Sequence, residues 1–293
     1  MNILVTGASG QLGTSLRANS PKFKQGNFTF ADERILDITR KNKVDVFLGR
    51  RRFDYIVNCA AYTDVDRAER EKEKARKVNV EGSKNLADAA LKSGAVLIHL
   101  STVYVFDGKS NVPYSEADAP CPLSIYGKTK FAGERAIRQT MCRTVIIRTS
   151  WLYSHFLFLR EGKNFVRSIM QLGKKKKVLR IVADQIGAPT YVEDLTNAIL
   201  AVIENTGNKK KVIRSPLLYH FSNEGVASWY DFAKTIVSVK NLPCQVEPIS
   251  TREYPTPAPR PANSLLNTSK IKSDFAIKIP YWRDSLEKCL ASL

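Results

Sequence analysis

Few of the features that would tie the chain to a membrane, an oxidising compartment or a metal are present. No apolar run in its 293 residues approaches the roughly 20 needed to span a bilayer. The first residues pass straight into the short strand-like run Asn2 to Val5, without a basic region, a long apolar segment or a small-residue cleavage site. Histidine is scarce: His99, His155 and His220 are scattered, and a lone histidine on a strand, as His99 is read here, is more often packed than catalytic. The five cysteines, Cys59, Cys121, Cys142, Cys244 and Cys289, are odd in number and widely spaced, with no C-x-x-C pair and no histidine at metal spacing. Reduced thiols, a cytoplasmic location and no metal site are the expectations.

Acidic residues are also in short supply, 28 against 46 basic, for a net charge of +18. The excess is spread along the chain, with short runs at Arg50 to Arg52, Lys174 to Lys177 and Lys209 to Lys211, the two lysine runs beside Gly173 and Asn208 in what read as exposed connections. Because no helix-turn-helix, zinc or RNA-binding signature accompanies it, we read a solvated surface and expect neither nucleic acid nor membrane as partner. Such a surface would still steer an anionic small substrate toward a cleft. At 43% hydrophobic and 25% charged residues, the composition is that of an ordinary globular protein with room for a large core and one or two domains.

What is present begins with Asn2-Ile3-Leu4-Val5, an apolar run of the kind buried in a parallel sheet, feeding into Thr6-Gly7-Ala8-Ser9-Gly10-Gln11-Leu12-Gly13. In this G-x-x-G-x-x-G pattern Gly7 permits a sharp turn, Gly10 lets backbone approach a pyrophosphate, and Gly13 lets the following helix pack on the strand. Glycine motifs occur by chance, but this one follows a strand and precedes a helix, the context a dinucleotide site requires. Phe28-Thr29-Phe30 is a second strand, followed by Asp32, suited to a ribose, and Arg34, suited to a 2′-phosphate, so NADH and NADPH both stay open. Asp37 could reach the adenine side or belong to the N-cap region of a helix starting near Thr39. A third strand, Tyr55 to Asn58, runs into the small residues Cys59-Ala60-Ala61, then Tyr62 and Thr63, where a cofactor would cross the sheet edge. Asp64, Asp66 and Glu69 follow at the head of what reads as a long charged helix, as capping and dipole partners.

The densest chemistry lies between His99 and Lys130. A fourth strand, Ala95 to Leu100, delivers Ser101 and Thr102 to the carboxyl edge of the sheet, where open α/β sheets bind ligands. Tyr126 opens the next helix and Lys130 lies one turn on, so the two share a face and the ammonium is expected to lower the phenol's pKa from its usual value of about 10. A tyrosine adjusted in that way exchanges a proton near neutral pH. Val145 to Ile147 is a further strand, leading to Arg148-Thr149-Ser150-Trp151. After it come an irregular aromatic loop, a helix from about Asn164 to Leu172, a strand around Leu179 to Val182, a helical pattern over Val192 to Glu204 and a strand at Leu217 to Phe221. Prolines at 255, 257, 259 and 261 rule out helix or central strand there and suggest an extended segment lining a cleft. The fold class is therefore α/β: a Rossmann-type doubly wound parallel sheet over 1–150, with about 178–205 returning to it, and a smaller mixed substrate-binding domain from 151–177 and 206–293.

The glycine turn, the hydroxyl ending the fourth strand and the Tyr126/Lys130 pair together resemble the extended short-chain dehydrogenase/reductase family. The blocks NILVTGASGQLG, VNCAAYTDVDRAE, YGKTKFAGE, RTSWLYS, DQIGAPTYVEDL, FSNEGVASW and YPTPAPRPANSLLNTSK resemble its dTDP-4-dehydrorhamnose reductase branch, from Asn2 to about Leu286. The resemblance implies NADPH or NADH as cofactor and a nucleotide-sugar substrate, in a monomer or homodimer. It implies Tyr126 as proton donor, Lys130 as the residue that binds the nicotinamide ribose, and Thr102 as the hydrogen-bond partner of the reacting carbonyl. It places Gly10, Gln11, Leu12, Asp37, Ile38, Ala61, Tyr62 and Thr63 at cofactor contacts, beside Gly7, Gly13, Asp32 and Ala60 from the reading above. Trp151 would pack on the sugar, where the residue alone reads as a core tryptophan, and Asn164, Gln185, Pro189 and Arg260 would serve the nucleotide end. The branch usually has aspartate directly after the Ser-Thr pair, where this chain has Val103. Losing that hydrogen bond, a matter of about 1 to 3 kcal/mol, would weaken sugar recognition, and Val103→Asp is expected to improve it. The alternative reading is a non-catalytic, cofactor-binding regulatory subunit, which Val103 favours and the retained Thr102, Tyr126 and Lys130 oppose.

Overall fold

The computed structural model describes residues 1–156, 164–208 and 212–293, so the Lys209 to Lys211 run and part of the loop after Trp151 lie outside the described residues. Strands β1 (Asn2–Thr6), β2 (Asn27–Ala31), β3 (Tyr55–Asn58), β4 (Val96–Thr102) and β5 (Thr144–Thr149) form one sheet with the strand Leu217–Phe221. All neighbours are parallel, in the spatial order 217–221, β5, β4, β3, β1, β2. β3, β4 and β5 are buried along their whole length, as unbroken apolar runs are when helices cover both faces of a sheet.

The helices are α1 (Gln11–Asn19), α2 (Lys41–Gly49), α3 (Val65–Ala68), α4 (Lys72–Arg76), α5 (Ser83–Ser93), α6 (Ile125–Gln139), α7 (Phe165–Gly173), α8 (Val192–Gly207) and α9 (Trp229–Val239), with two more at Ser269–Phe275 and Trp282–Ala291. On one face of the sheet Leu12 and Leu16 of α1 and Leu195, Ile199 and Val202 of α8 share a core with Ile3, Val57 and Ile147. On the other, Val44 of α2, Leu86 and Ala90 of α5 and Ile137 of α6 pack on Leu4, Ile56 and Ile146. This is the doubly wound arrangement the alternation of strands and helices implies.

A second core joins α7, α9 and Trp282–Ala291 around Phe232, Ile169 and Leu286. Beside it the strands Val178–Val182 and Gln245–Ile249 pair in parallel as a sheet of their own. The expected partition of the chain is therefore corrected at three points. Residues 178–182 do not return to the large sheet, because their ladder partner is 245–249. The segment that does return is α8, whose Thr196 hydroxyl meets Ser15 of α1 at 2.8 Å. Residues 217–221 and 269–275, assigned to the substrate-binding part, belong to the large sheet and its core.

The long charged helix expected after Thr63 is also broken up. α3 ends at Ala68, and α4 begins again at Lys72 and runs through a π-helical stretch, Lys77–Gly82, straight into α5. Asp64 caps α3 by accepting from Arg67 N at 3.0 Å, but Asp66 and Glu69 look outward, to Arg260 and to the first turn of α6. Among the described residues no helix is long and apolar enough to cross a membrane.

Candidate active site

At the carboxyl edge of β1, Gly7 turns at φ +64°, and a Cβ there would lie 2.5 Å from the Ala60 nitrogen. A Cβ on Gly13 would meet the Gly7 oxygen, also at 2.5 Å, so both positions demand glycine for close backbone packing. Gly10 is different: it caps α1 without a side chain and its nearest neighbour would stand 3.4 Å away, leaving open space before the helix N-terminus. Unpaired N–H groups there favour an anion. Gln11 and Leu12 form the first turn of α1; Leu12 is buried in the core, and the Gln11 Oε1 is buried without a hydrogen-bond partner.

Beside this turn Asp32 accepts from Arg34 and Ile35, and its hydrogen bond with Arg34 leads the effects that lower its pKa. Asp37 resists a burial penalty by accepting from Thr39 N, Thr39 Oγ1 and Arg40, so its pKa is lowered too. It caps its own turn, while α2 starts only at Lys41. Ile38 is buried against Gly82. Ala60, Ala61 and Tyr62 follow β3 as half-buried chain, with Thr63 exposed, and Asn79 holds the loop by accepting from Tyr62 N at 2.9 Å and donating to Tyr62 O. Asn79 also donates to Thr129 of α6 at 3.1 Å, so it fastens the loop to the helix that carries Tyr126. Nothing in the sequence singles out Asn79 for this role.

Ser124 caps α6, accepting from Gly127 N at 3.1 Å, and sets Tyr126 in the first turn with Lys130 below it. Thr102 ends β4, its hydroxyl accepting from Tyr104 N at 3.2 Å, and stands close enough to the Tyr126 phenol to act on its proton equilibrium. The relation expected between Tyr126 and Lys130 is corrected. The Lys130 ammonium donates to the Leu100 carbonyl at 2.6 Å, and burial pushes the Tyr126 phenol up to about 12, against the opposing pull of Thr102. Burial also brings Lys130 down to about 8. Sharing a helix face did not suffice, because the lysine turns down toward β4.

Val103 departs from expectation as well. The chain enters a 3₁₀ turn at Val103–Val105 directly after Thr102, which drives the valine inward, 1% exposed, among Val105, Phe106, Tyr114 and Leu266. That packing surrounds the side chain with hydrophobic neighbours.

A cavity of about 670 Å³ opens beside Tyr104, lined by Asp66, Phe165, Gln185, Trp229, Tyr254 and Arg260 among others. The proline-rich segment has no regular structure and forms one wall, as its composition implies. Gln185 is held by a bond to Thr251 at 3.0 Å, and Arg260 pairs with Asp66 at 2.8 Å. Trp151, in the left-handed region at φ +46°, stacks on Trp229 at 3.7 Å between ring centroids; Trp229 lines the cavity and Trp151 lies behind it, outside the lining. Asn164 is spent as the cap of α7, with its amide on Ser154 O, and Pro189 is buried between two short strands; neither is among the residues lining the cavity. Trp229 carries no signal in the sequence beyond its place in the block FSNEGVASW. No group of three potential metal ligands occurs among the described residues.

The geometry is that of a parallel sheet with a glycine turn before a helix N-terminus, Thr102, Tyr126 and Lys130 at its carboxyl edge and an aromatic cavity beyond. Known proteins share the sequence and the fold. The model of the RmlD substrate binding domain matches residues 1–293. The dTDP-4-dehydrorhamnose reductase of Aggregatibacter actinomycetemcomitans is 38% identical, over 99% of this chain and 98% of that protein. The spore coat polysaccharide biosynthesis protein SpsK of Bacillus subtilis is also 38% identical, over 98% and 96%. The crystal structure of the dTDP-4-dehydrorhamnose reductase of Bacillus anthracis in complex with NADP superposes with a TM-score of 0.91 at 36% identity, over 100% of this chain and 99% of that one. Matched from end to end at these identities, the chain belongs to the RmlD family, that of the dTDP-4-dehydrorhamnose reductases.

Proposed function

We propose that the chain is an NAD(P)H-dependent oxidoreductase that reduces the C4 carbonyl of dTDP-4-dehydrorhamnose, giving dTDP-L-rhamnose, with Tyr126 as proton donor. The observation that carries the reading is the gathering of Thr102, at the end of β4, with Tyr126 and Lys130 of α6 at the sheet edge shared with the glycine turn, Lys130 bonded to Leu100 O of the same strand.

The residues present fit a dinucleotide. Gly7 and Gly13 close the turn, Gly10 leaves space before the α1 N-terminus, and the orphaned Gln11 Oε1 awaits a donor. Asp32, Asp37 and Ile38 lie at the adenosine side, and Ala60, Ala61, Tyr62 and Thr63 line the path across the sheet edge. When bound, the nicotinamide supplies the hydride, and the protein supplies position and electrostatics. Lys130 would hold the nicotinamide ribose with its ammonium.

Charge develops on the carbonyl oxygen as it is reduced, so donors preorganised near that oxygen lower the barrier. Thr102 would give such a hydrogen bond. Tyr126, with its pKa pushed up to about 12, keeps its proton at neutral pH and can deliver it to the forming alkoxide. The sugar would lie against the Trp151–Trp229 stack and the nucleotide in the cavity beyond, where Arg260 suits a phosphate. Mixing the protein with NADPH and the dTDP-4-keto sugar and following nicotinamide absorbance tests the proposal. Oxidation dependent on both is expected; cofactor binding with no oxidation above background would leave a non-catalytic cofactor-binding subunit in its place.

A further inference from the structure

Two turns beyond Tyr126 and one beyond Lys130, on the same face of α6, lies Glu134, 1% exposed. Its carboxylate accepts from the Ser101 hydroxyl at 2.5 Å and from Arg148 Nε and Nη2 at 2.9 and 2.7 Å. Ser101 directly precedes Thr102 on β4, and Arg148, itself 2% exposed, lies near the end of β5. One buried carboxylate thus ties the Tyr126 helix to two strand ends, at the residue next to Thr102. A bidentate pair at this depth fixes geometry as well as charge.

We propose that Glu134 is a positioning residue for the reduction: through Ser101 and Arg148 it locks α6 in register with Thr102, and it sets its carboxylate one turn from Lys130 on the same helix. The inference rests on the role given to Lys130 above. The groups that act on Lys130 from the elements around it support it. Cys59, after β3, is a buried thiol pushed far up and therefore neutral; His99, on β4, is driven well below its usual range by burial and is also neutral. Leu100 contributes only its carbonyl; the segment 77–82 contributes the neutral Asn79–Thr129 contact, α5 packs on α6 through the apolar core, and the Glu69 carboxylate, after α3, accepts from Ile125 N at the head of α6, more than a turn from Lys130. Glu134 raises the Lys130 pKa against the burial that lowers it.

The test is NADPH affinity against pH, read by nicotinamide fluorescence, for the wild type, Glu134→Gln and Glu134→Asp. In the wild type, affinity weakens as Lys130 loses its proton near pH 8. With Glu134→Gln the weakening is expected about one pH unit lower, a tenfold change in the proton equilibrium. Glu134→Asp retains the charge and is expected to restore the wild-type limb even where it melts earlier. A Glu134→Gln limb at the wild-type pH, with only thermal stability reduced, would overturn the proposal. Should Glu134→Gln not fold, Ser101→Ala decides: turnover is expected to fall about tenfold with NADPH affinity kept, and unchanged turnover would overturn the proposal. Wild-type protein that binds NADPH but never reduces the sugar would instead count against the function proposed above, and the binding limb would still decide the role of Glu134.

Discussion

The guanidinium of Arg260 stands 2.8 Å from the carboxylate of Asp66, 194 residues away in the chain. Asp66 also accepts from Ala258 N at 3.2 Å, so it holds the proline-rich wall of the cavity against α3. With side chains 17% and 39% exposed, the pair contributes no more than about 1 kcal/mol to stability. Its consequence is for binding, since an arginine held by one carboxylate is already oriented for a diphosphate that competes for it. Arg260→Ala is expected to raise the KM for the nucleotide sugar about tenfold or more with kcat little changed. Asp66→Asn, which removes the competitor, is expected to tighten binding of dTDP. Calorimetric titration with dTDP checks both, and weaker binding by Asp66→Asn would show that the carboxylate positions Arg260 without competing.

Replacement of Val103 by aspartate, attractive from the sequence, is expected to do harm. The side chain is packed among Val105, Phe106, Tyr114 and Leu266, where an aspartate would lose its hydration without a partner. A loss of about 2 kcal/mol or more, read as a drop of several degrees in the melting temperature, is the expected result. An unchanged melting temperature with a lower KM would restore the view of position 103 as a sugar contact.

These two cases mark how far the sequence could be read. The sheet was legible because β1, β3, β4 and β5 are apolar runs punctuated by glycine and small residues, signals local to each segment. Tyr126, Lys130 and Thr102 were legible because their spacing and strand position carry chemistry by themselves. What could not be read depends on rotamers and on pairing between distant segments. Lys130 turning to the Leu100 carbonyl, Val103 turning inward on a 3₁₀ turn, and the pairing of 178–182 with 245–249 all belong to that class. Asn79 and Glu134 escaped for the same reason: each is an ordinary helix residue until the fold brings Tyr62 or Arg148 to it.

Trp229 tests the cavity more directly than Trp151 does. Trp151 is clamped between Trp229 and Gly187, where an added Cβ would approach the indole to 2.8 Å, so truncating it would disturb the backbone. Trp229 lies at the start of α9 behind the Ser228 capping box and shows its ring to the cavity. Trp229→Ala is expected to raise the KM for the sugar nucleotide about tenfold, the order of one lost aromatic stack, while NADPH affinity holds. Equal loss of both affinities would mean that the variant perturbs the fold and not the cavity alone.

The pH behaviour separates the roles of Tyr126 and Lys130. Tyr126, pushed up to about 12, stays protonated across the working range, so the fall of kcat/KM at high pH is expected near 8, where Lys130 loses its proton. Stability should respond in the opposite sense over that window. Between about 8 and 10.5 the unfolded chain keeps the lysine proton that the native state has released, so this group makes stability rise with pH. From 10 to about 12 the native tyrosine keeps a proton the unfolded chain has lost, and its contribution falls as pH rises. Denaturant unfolding at pH 8 and pH 10 should therefore give a gain in the wild type that Lys130→Met lacks. Tyr126→Phe leaves the lysine limb of cofactor binding in place and removes the proton donor, so kcat is expected to fall about a hundredfold or more with NADPH affinity near wild type. If Tyr126→Phe turned over at the wild-type rate, the proton would have to come from elsewhere, and the Thr102 hydroxyl or solvent would take the place assigned here to the tyrosine.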